Sequence, residues 1–133
     1  MTIFDDWLSR KMARNARTIR ETRTVDEVFR RNYSARNDFA RIVLRGEPSN
    51  GFEFRSSAQW PMQPELYDGA VLDGILDELL ATGIGSVVIR IRFVLGEIGW
   101  HDVDSSPNAF YQAARAATRK VIEANVVLPG SLA

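Results

Sequence analysis

Gly99-Trp100-His101-Asp102-Val103-Asp104-Ser105-Ser106-Pro107 holds the chain's single histidine, two aspartates and two serines, and it stands between a strand pattern and a helix pattern. Upstream, residues 87–95 alternate. Ile89, Ile91, Phe93 and Leu95 lie on one side and Val88, Arg90, Arg92 and Val94 on the other, as in a strand with one buried and one open face. Downstream, Ser106 is placed as an N-cap and Pro107 as the first helical residue, where its missing N–H is tolerated. The helix reads on to about Ala124, with Phe110, Ala113, Ala114, Ala117 and Val121 inward and Gln112, Arg115, Arg119 and Glu123 outward. Such a turn admits two readings, a metal or acid/base cluster and a structural turn that starts a helix. Alternation along an extended segment sends His101 and Asp102 to opposite sides, and Asp104 to Ser106 suit the capping of a helix N-terminus. The structural reading is therefore the stronger.

Working outward, residues 65–81 form a second helix. Leu66, Ala70, Ile75, Leu76, Leu79 and Leu80 make its apolar side, Asp68, Asp73, Asp77 and Glu78 face out, and Gly83 stops it. Residues 25–31 and 39–45 are β-rich and flank a hairpin-like connector at 32–38, and a turn at 47–51 leads to a short strand at 52–56. Residues 3–19 read as a basic amphipathic helix, with Ile3, Phe4, Trp7, Leu8 and Met12 at helical spacing among Arg10, Lys11, Arg14 and Arg17. That helix either docks on the domain or lies on RNA or a partner. The apolar tail at 126–129 is expected to tuck onto the domain. The order helix, β, β, β, α, β, α predicts an α+β fold in which a sheet carries its helices on one face. The division expected is an N-terminal amphipathic helix over 1–18 and a folded domain over 19–133.

The 133 residues, 45% hydrophobic and 26% charged, suit one folded domain. With no cysteine, thiolate metal sites and cysteine nucleophiles are excluded. No apolar run reaches membrane-spanning length and the acidic opening lacks a signal-peptide pattern, so a cytoplasmic protein without a membrane is expected. A net charge of zero hides an asymmetry: residues 1–45 hold eleven basic and six acidic residues, +5, which leaves −5 for the remainder. Arginine-rich segments suit phosphate and carboxylate alike, so an RNA-contacting face and a basic segment folded against the acidic half both stand open. No nucleophile elbow, zinc motif or dinucleotide fingerprint occurs, and no phosphate-binding loop. A non-enzymatic protein without nucleotide, metal or cofactor is expected.

A series of short motifs then resembles one family in order along residues 19–129. Ile19-Arg20-Glu21-Thr22 resembles the Arg-Glu-Thr start of elongation factor G domain IV, and Gly51-Phe52-Glu53-Phe54 resembles its Gly-Phe/Tyr-Glu-Phe strand. Pro64-Glu65-Leu66-Tyr67 with Ala70-Val71-Leu72-Asp73-Gly74-Ile75 resembles its first helix. Trp100-His101-Asp102-Val103-Asp104-Ser105-Ser106, followed by Ala109-Phe110 and Ala113-Ala114, resembles Tyr-His-x-Val-Asp-Ser-Ser-x-x-Ala-Phe-x-x-Ala-Ala. Val126-Val127-Leu128-Pro129 resembles the family's closing segment.

This resemblance implies a four-stranded sheet with two helices on one face and a left-handed β-α-β crossover in place of the usual right-handed one. It also implies a protruding domain whose tip loops touch RNA in the small-subunit decoding site. The family's tip histidine falls on His101, beside Trp100, and its first tip loop on 32–38. Arg30, Arg31 and Arg36 would then supply phosphate contacts and Tyr33 a stacking ring. Residues 32–38 hold no glycine where the family's loop is glycine-rich, and 133 residues leave no room for the family's GTPase. Two functions are expected on this footing. One is a stand-alone domain IV-like protein that binds the ribosome or structured RNA. The other is a protein-interaction module, self-associating through the N-terminal helix or the open sheet face with Arg90 and Arg92.

Overall fold

The computed structural model describes residues 17–32, 37–82 and 89–127. Thr18–Ile19 (β1) pairs antiparallel with Val126–Val127 (β6), so the two ends of the described chain run side by side. Between them lie Arg23–Asn32 (β2), Asn37–Pro48 (β3), Glu53–Ser56 (β4), Pro64–Ala81 (α1), Ile91–Gly99 (β5) and Pro107–Ile122 (α2). The four longer strands form one mixed sheet in the order β2-β3-β5-β4, antiparallel except for the parallel pair β4 and β5, which α1 connects.

Sheet and helices meet over one apolar layer. Ala40, Ile42 and Leu44 of β3 and Ile91, Phe93 and Leu95 of β5 are fully buried, together with Phe110, Ala113, Ala114, Ala117 and Val121 of α2. The expected α+β architecture and the inward side of α2 are thus as read from the sequence. Gly46 of β3 lets the Val121 side chain rest directly on the sheet, where a Cβ would collide with it.

Three expectations are corrected. Residues 17–19, placed at the end of an amphipathic helix, are extended: Arg17 forms a parallel bridge with Ile89, and Thr18 and Ile19 pair with β6. Asn125 holds this strand pair in place, accepting from the N–H groups of Arg20 and Glu21 at 3.1 and 3.0 Å and donating to the carbonyls of Glu21 and Val121. The remainder of that helix, residues 1–16, lies outside the described residues, as do Gly83 and the tail beyond Val127.

The second correction concerns α1, whose buried side is Tyr67, Val71, Gly74, Ile75, Glu78 and Leu79, while Leu66, Leu76 and Leu80 are exposed. Glu78, expected to face solvent, is buried because α2 neutralises it. Arg119 donates to both its oxygens at 3.1 and 3.2 Å, and Arg115 donates to Oε1 at 3.2 Å. Burial pushes the Glu78 carboxyl up, but the two arginines outweigh that and hold it below its ordinary value.

The third is the strand after α1. It begins at Ile91 with Ile89 in an isolated bridge, and it continues to Gly99, four residues past Leu95. Between the pairs Leu44–Leu95 and Ile42–Ile98, Gly96 and Glu97 together oppose the single residue Val43. That β-bulge reverses the alternation of the strand.

Candidate functional site

The bulge decides which side chains the end of β5 presents. Beyond it Ile98 and Trp100 turn toward the helices. Trp100 packs at 4.9 Å from Tyr67 and 5.8 Å from Phe110 between ring centroids, in a cluster that Trp60 completes. Its indole N–H donates to Asp102 at 3.1 Å. His101 is thereby left outward, with 56% of its side chain exposed.

The following turn is tied to the sheet rather than hanging from it. The Ser105 hydroxyl donates to the Phe39 carbonyl at 2.8 Å and accepts from the His101 N–H at 3.0 Å, and the Phe39 N–H donates to the Asp104 carbonyl at 3.0 Å. Inside the turn, His101 Nδ1 accepts from the N–H groups of Val103 and Asp104 at 3.3 and 3.2 Å. An acceptor at Nδ1 assigns the proton of the neutral ring to Nε2, which becomes a donor. Ser106 alone caps α2, accepting from the Ala109 N–H at 3.1 Å. The capping role read for Asp104 and Ser105 is therefore corrected: both fasten the turn instead.

Around this turn lies a cleft of about 400 Å³, lined by Arg30, Asn32, Asn37, Asp38, Phe39, Trp100, His101 and Asp104. The register explains the gathering. Arg30 pairs with Phe39 and Asn32 with Asn37 at the end of the β2–β3 hairpin, while Gly99 pairs with Arg41 at the end of β5. All three strands thus reach their tips together, at the end of the sheet remote from the Arg23–Gly46 pair. The Arg30 guanidinium lies over the Phe39 ring, 5.3 Å from its centroid, a cation–π contact that keeps the charge at the mouth of the cleft.

Of the residues singled out in the sequence, His101, Trp100 and Arg30 come together here. Arg31 does not: it pairs in register with Asp38, on the opposite face of the sheet from Arg30. Tyr33 and Arg36 lie outside the described residues. Sequence reasoning missed Phe39 and Asn37 as lining groups. The signal was available in the hairpin register, which sets Phe39 across from Arg30. His101, Asp102 and Asp104 do not converge as ligands, since Asp102 is engaged by Trp100 while Asp104 lies 3.5 Å from His101 Nδ1. Among the described residues no three such side chains are placed to hold a metal ion.

The lining charges also say what the cleft suits. Among the described lining residues Asp104 and Asp38 are acidic and Arg30 is basic, so the cavity offers acceptors for N–H or O–H groups as well as one cation for a phosphate. Carboxylates accept from base amino groups and from ribose hydroxyls, and an Nε2–H donates to base or ribose acceptors.

The open sheet face is of another kind. Arg41 makes two hydrogen bonds to Asp26 at 2.9 and 2.8 Å and pairs with Glu97, Arg92 pairs with Glu47 and Glu53, Arg45 with Glu47, and Arg55 with Glu53. These contacts hold the Asp26 and Glu53 carboxyls below the usual carboxylate range, chiefly through the hydrogen bonds from Arg41 and Arg92. Arg41, Arg45, Arg55 and Arg92 of this face are thus neutralised in place.

Comparison with known proteins agrees with this geometry. The family model described as elongation factor G, domain IV matches residues 15–125. The chain is 36% identical over 104 residues to elongation factor G of Rhodopseudomonas palustris (strain BisB18), covering 74% of this chain and 15% of that protein. It is 38% identical over 90 residues to elongation factor G 1 of Syntrophomonas wolfei subsp. wolfei (strain DSM 2245B / Goettingen), covering 66% and 13%. It therefore spans about a seventh of the length of these relatives. A crystal structure of a protein from Thermus thermophilus superposes with a TM-score of 0.72 at 23% identity, over 84% of this chain and 17% of that one, which shows the shared fold.

Proposed function

The chain belongs to the elongation factor G domain IV family, and from that membership we propose that its tip cleft contacts structured RNA, on the ribosome in the first instance, without catalysing a reaction. One observation carries the reading. The His101 turn is fastened to β3 by Ser105 and Asp104, so that an imidazole donor stands ready beside Arg30 and Phe39. A preorganised donor loses little freedom on binding, which favours recognition of a fixed RNA surface. The acidic lining supports contact with bases and riboses, Arg30 contributes the cleft's phosphate contact, and Arg31, Arg36 and Tyr33 belong to the proposal as further RNA contacts. The family's left-handed β4-α1-β5 connection, a cytoplasmic location and the division into a segment over 1–18 and a domain over 19–133 belong to the same proposal. Among the described residues no helix is long and apolar enough to cross a membrane.

Co-sedimentation with ribosomes over a potassium chloride series tests it. The protein pellets at low salt, His101→Ala weakens binding about 5- to 10-fold through the loss of one hydrogen bond, and Arg30→Ala lowers the salt slope by about one. A protein that stays in the supernatant at the lowest salt refutes the reading. The paired charges of the open sheet face favour a second reading, a protein-interaction module, because neutralised arginines attract polyanions weakly while still offering a polar surface to a protein. Under that reading light scattering detects self-association or a protein partner, and the two substitutions leave it unchanged.

A further inference from the structure

We propose that β2 is a self-complementary edge along which two copies of the chain pair antiparallel, about a two-fold axis at Val28. The inference gives the protein-interaction reading a defined surface and does not depend on RNA binding. β2 ends the sheet, and its ten residues pair with β3 without a register shift. On its other side, no backbone group of β2 has a backbone partner among the described residues. Natural sheets blunt such edges with short strands, proline, a bulge or charged side chains. Arg23–Asn32 has none of the first three; it does carry charges, with Glu27 turned inward onto Lys120, and charges of a single sign would blunt it.

Its charges are ordered instead. Asp26-Glu27-Val28-Phe29-Arg30-Arg31 runs from acidic through apolar to basic, so a second copy laid in the reverse direction brings acid onto base. In a continuous antiparallel sheet, residues directly opposite share a face, so only registers centred on a residue are allowed. Centred on Val28, the pairing sets Asp26 opposite Arg30 twice on the open face and Val28 opposite its own copy. Val28 is 44% exposed, and Arg30 has no carboxylate within ion-pair distance among the described residues. Centred on Phe29, Asp26 would meet Asn32 and Val28 would meet Arg30. Centred on Glu27, Arg30 would meet Thr24. The Glu27 register forms no ion pair, and the Phe29 register exchanges Asp26–Arg30 for Glu27–Arg31 on the other face, where Glu27 already holds Lys120, and leaves Val28 against Arg30.

The absence of cysteine makes the register directly testable. Under oxidising conditions Val28→Cys is expected to form a disulfide-linked dimer, since opposite Cβ atoms stand about 5 Å apart. Thr24→Cys is not, because its two copies would be about 27 Å apart along the strands. Asp26→Arg and Arg30→Asp are each expected to shift light scattering toward monomer, and an equimolar mixture of the two is expected to restore the dimer. Neither Asp26 nor Val28 lines the tip cleft, so ribosome binding by Asp26→Arg and Val28→Cys reports the RNA reading separately. A wild-type monomer at all concentrations overturns the proposal. So does a dimer that resists both charge changes and yields no more disulfide from Val28→Cys than from Thr24→Cys; that result leaves self-association through another surface standing.

Discussion

Two glycines on one helix test how tightly α1 and α2 are pressed together. A Cβ built on Gly74 would lie 2.5 Å from the Tyr111 carbonyl oxygen and 2.7 Å from the Ala114 Cβ, both rigid parts of α2. A Cβ on Gly69, five residues earlier on the same helix, would meet nothing within 4 Å. Both substitutions to alanine gain the same helix propensity, about 0.8–1 kcal/mol. Only Gly74→Ala must also push the helices apart by roughly 1 Å, which forfeits a quarter to a half of the dispersion energy of the contacts it opens, or about 1–3 kcal/mol. Gly69→Ala is therefore expected to stabilise by about 1 kcal/mol, whereas Gly74→Ala is neutral to destabilising by about 2 kcal/mol. Their difference, about 1–3 kcal/mol, is free of the shared propensity gain. Urea unfolding followed by tryptophan fluorescence reads it as the gap between the two midpoints at unchanged slope. Equal stabilisation by the two would refute the argument, since it would mean that the helix interface yields at no cost.

Glu78→Gln removes the carboxylate that binds Arg119 and Arg115, and is expected to destabilise by about 1–2 kcal/mol at pH 7, below the range for fully buried pairs because both arginines reach water. The folded Glu78 titrates below its ordinary value of 4.5, so its stabilisation is complete above that pH and is lost as pH falls through the lowered value. Denaturant midpoints measured from pH 6 downward should therefore fall less steeply in Glu78→Gln than in the wild type, and parallel curves would contradict it. Ser106→Ala should cost about 1 kcal/mol through the lost cap of α2 while leaving the affinity of the tip cleft unchanged. Ser105→Ala should weaken ribosome binding, with no more loss of stability than Ser106→Ala, because it frees the His101 turn from β3. If the two serines affect binding alike, the turn is not a positioning element.

The fold was legible where one face of an element is apolar and the other polar. On α2 five apolar residues against four charged or polar ones fixed the buried side, and the structure buries those five. On α1 leucines occur nearly all round, so periodicity could not choose between Leu66, Leu76 and Leu80 on one side and Tyr67, Val71 and Leu79 on the other. The choice is made by α2, whose Arg115 and Arg119 provide a place for Glu78 and whose close approach requires Gly74. Both are pairwise facts, invisible in either helix alone. Thr18–Ile19 was misread for a related reason, since its pairing with Val126–Val127 joins segments more than a hundred residues apart.

The site turned on a single residue of parity. Counting by twos from Leu95 sends Glu97, Gly99 and His101 toward the helices and Trp100 into solvent. The extra residue at Gly96-Glu97, opposite Val43, exchanges those fates. Trp100 then anchors the aromatic cluster and His101 faces out, each where its chemistry is satisfied: an indole in an apolar layer with its N–H on Asp102, and an imidazole with two backbone donors on one nitrogen and a free donor on the other. The cue lies in Ile98, an apolar residue out of phase with Ile91, Phe93 and Leu95. An apolar residue that breaks its own strand's alternation marks a bulge, and here the bulge creates the candidate site.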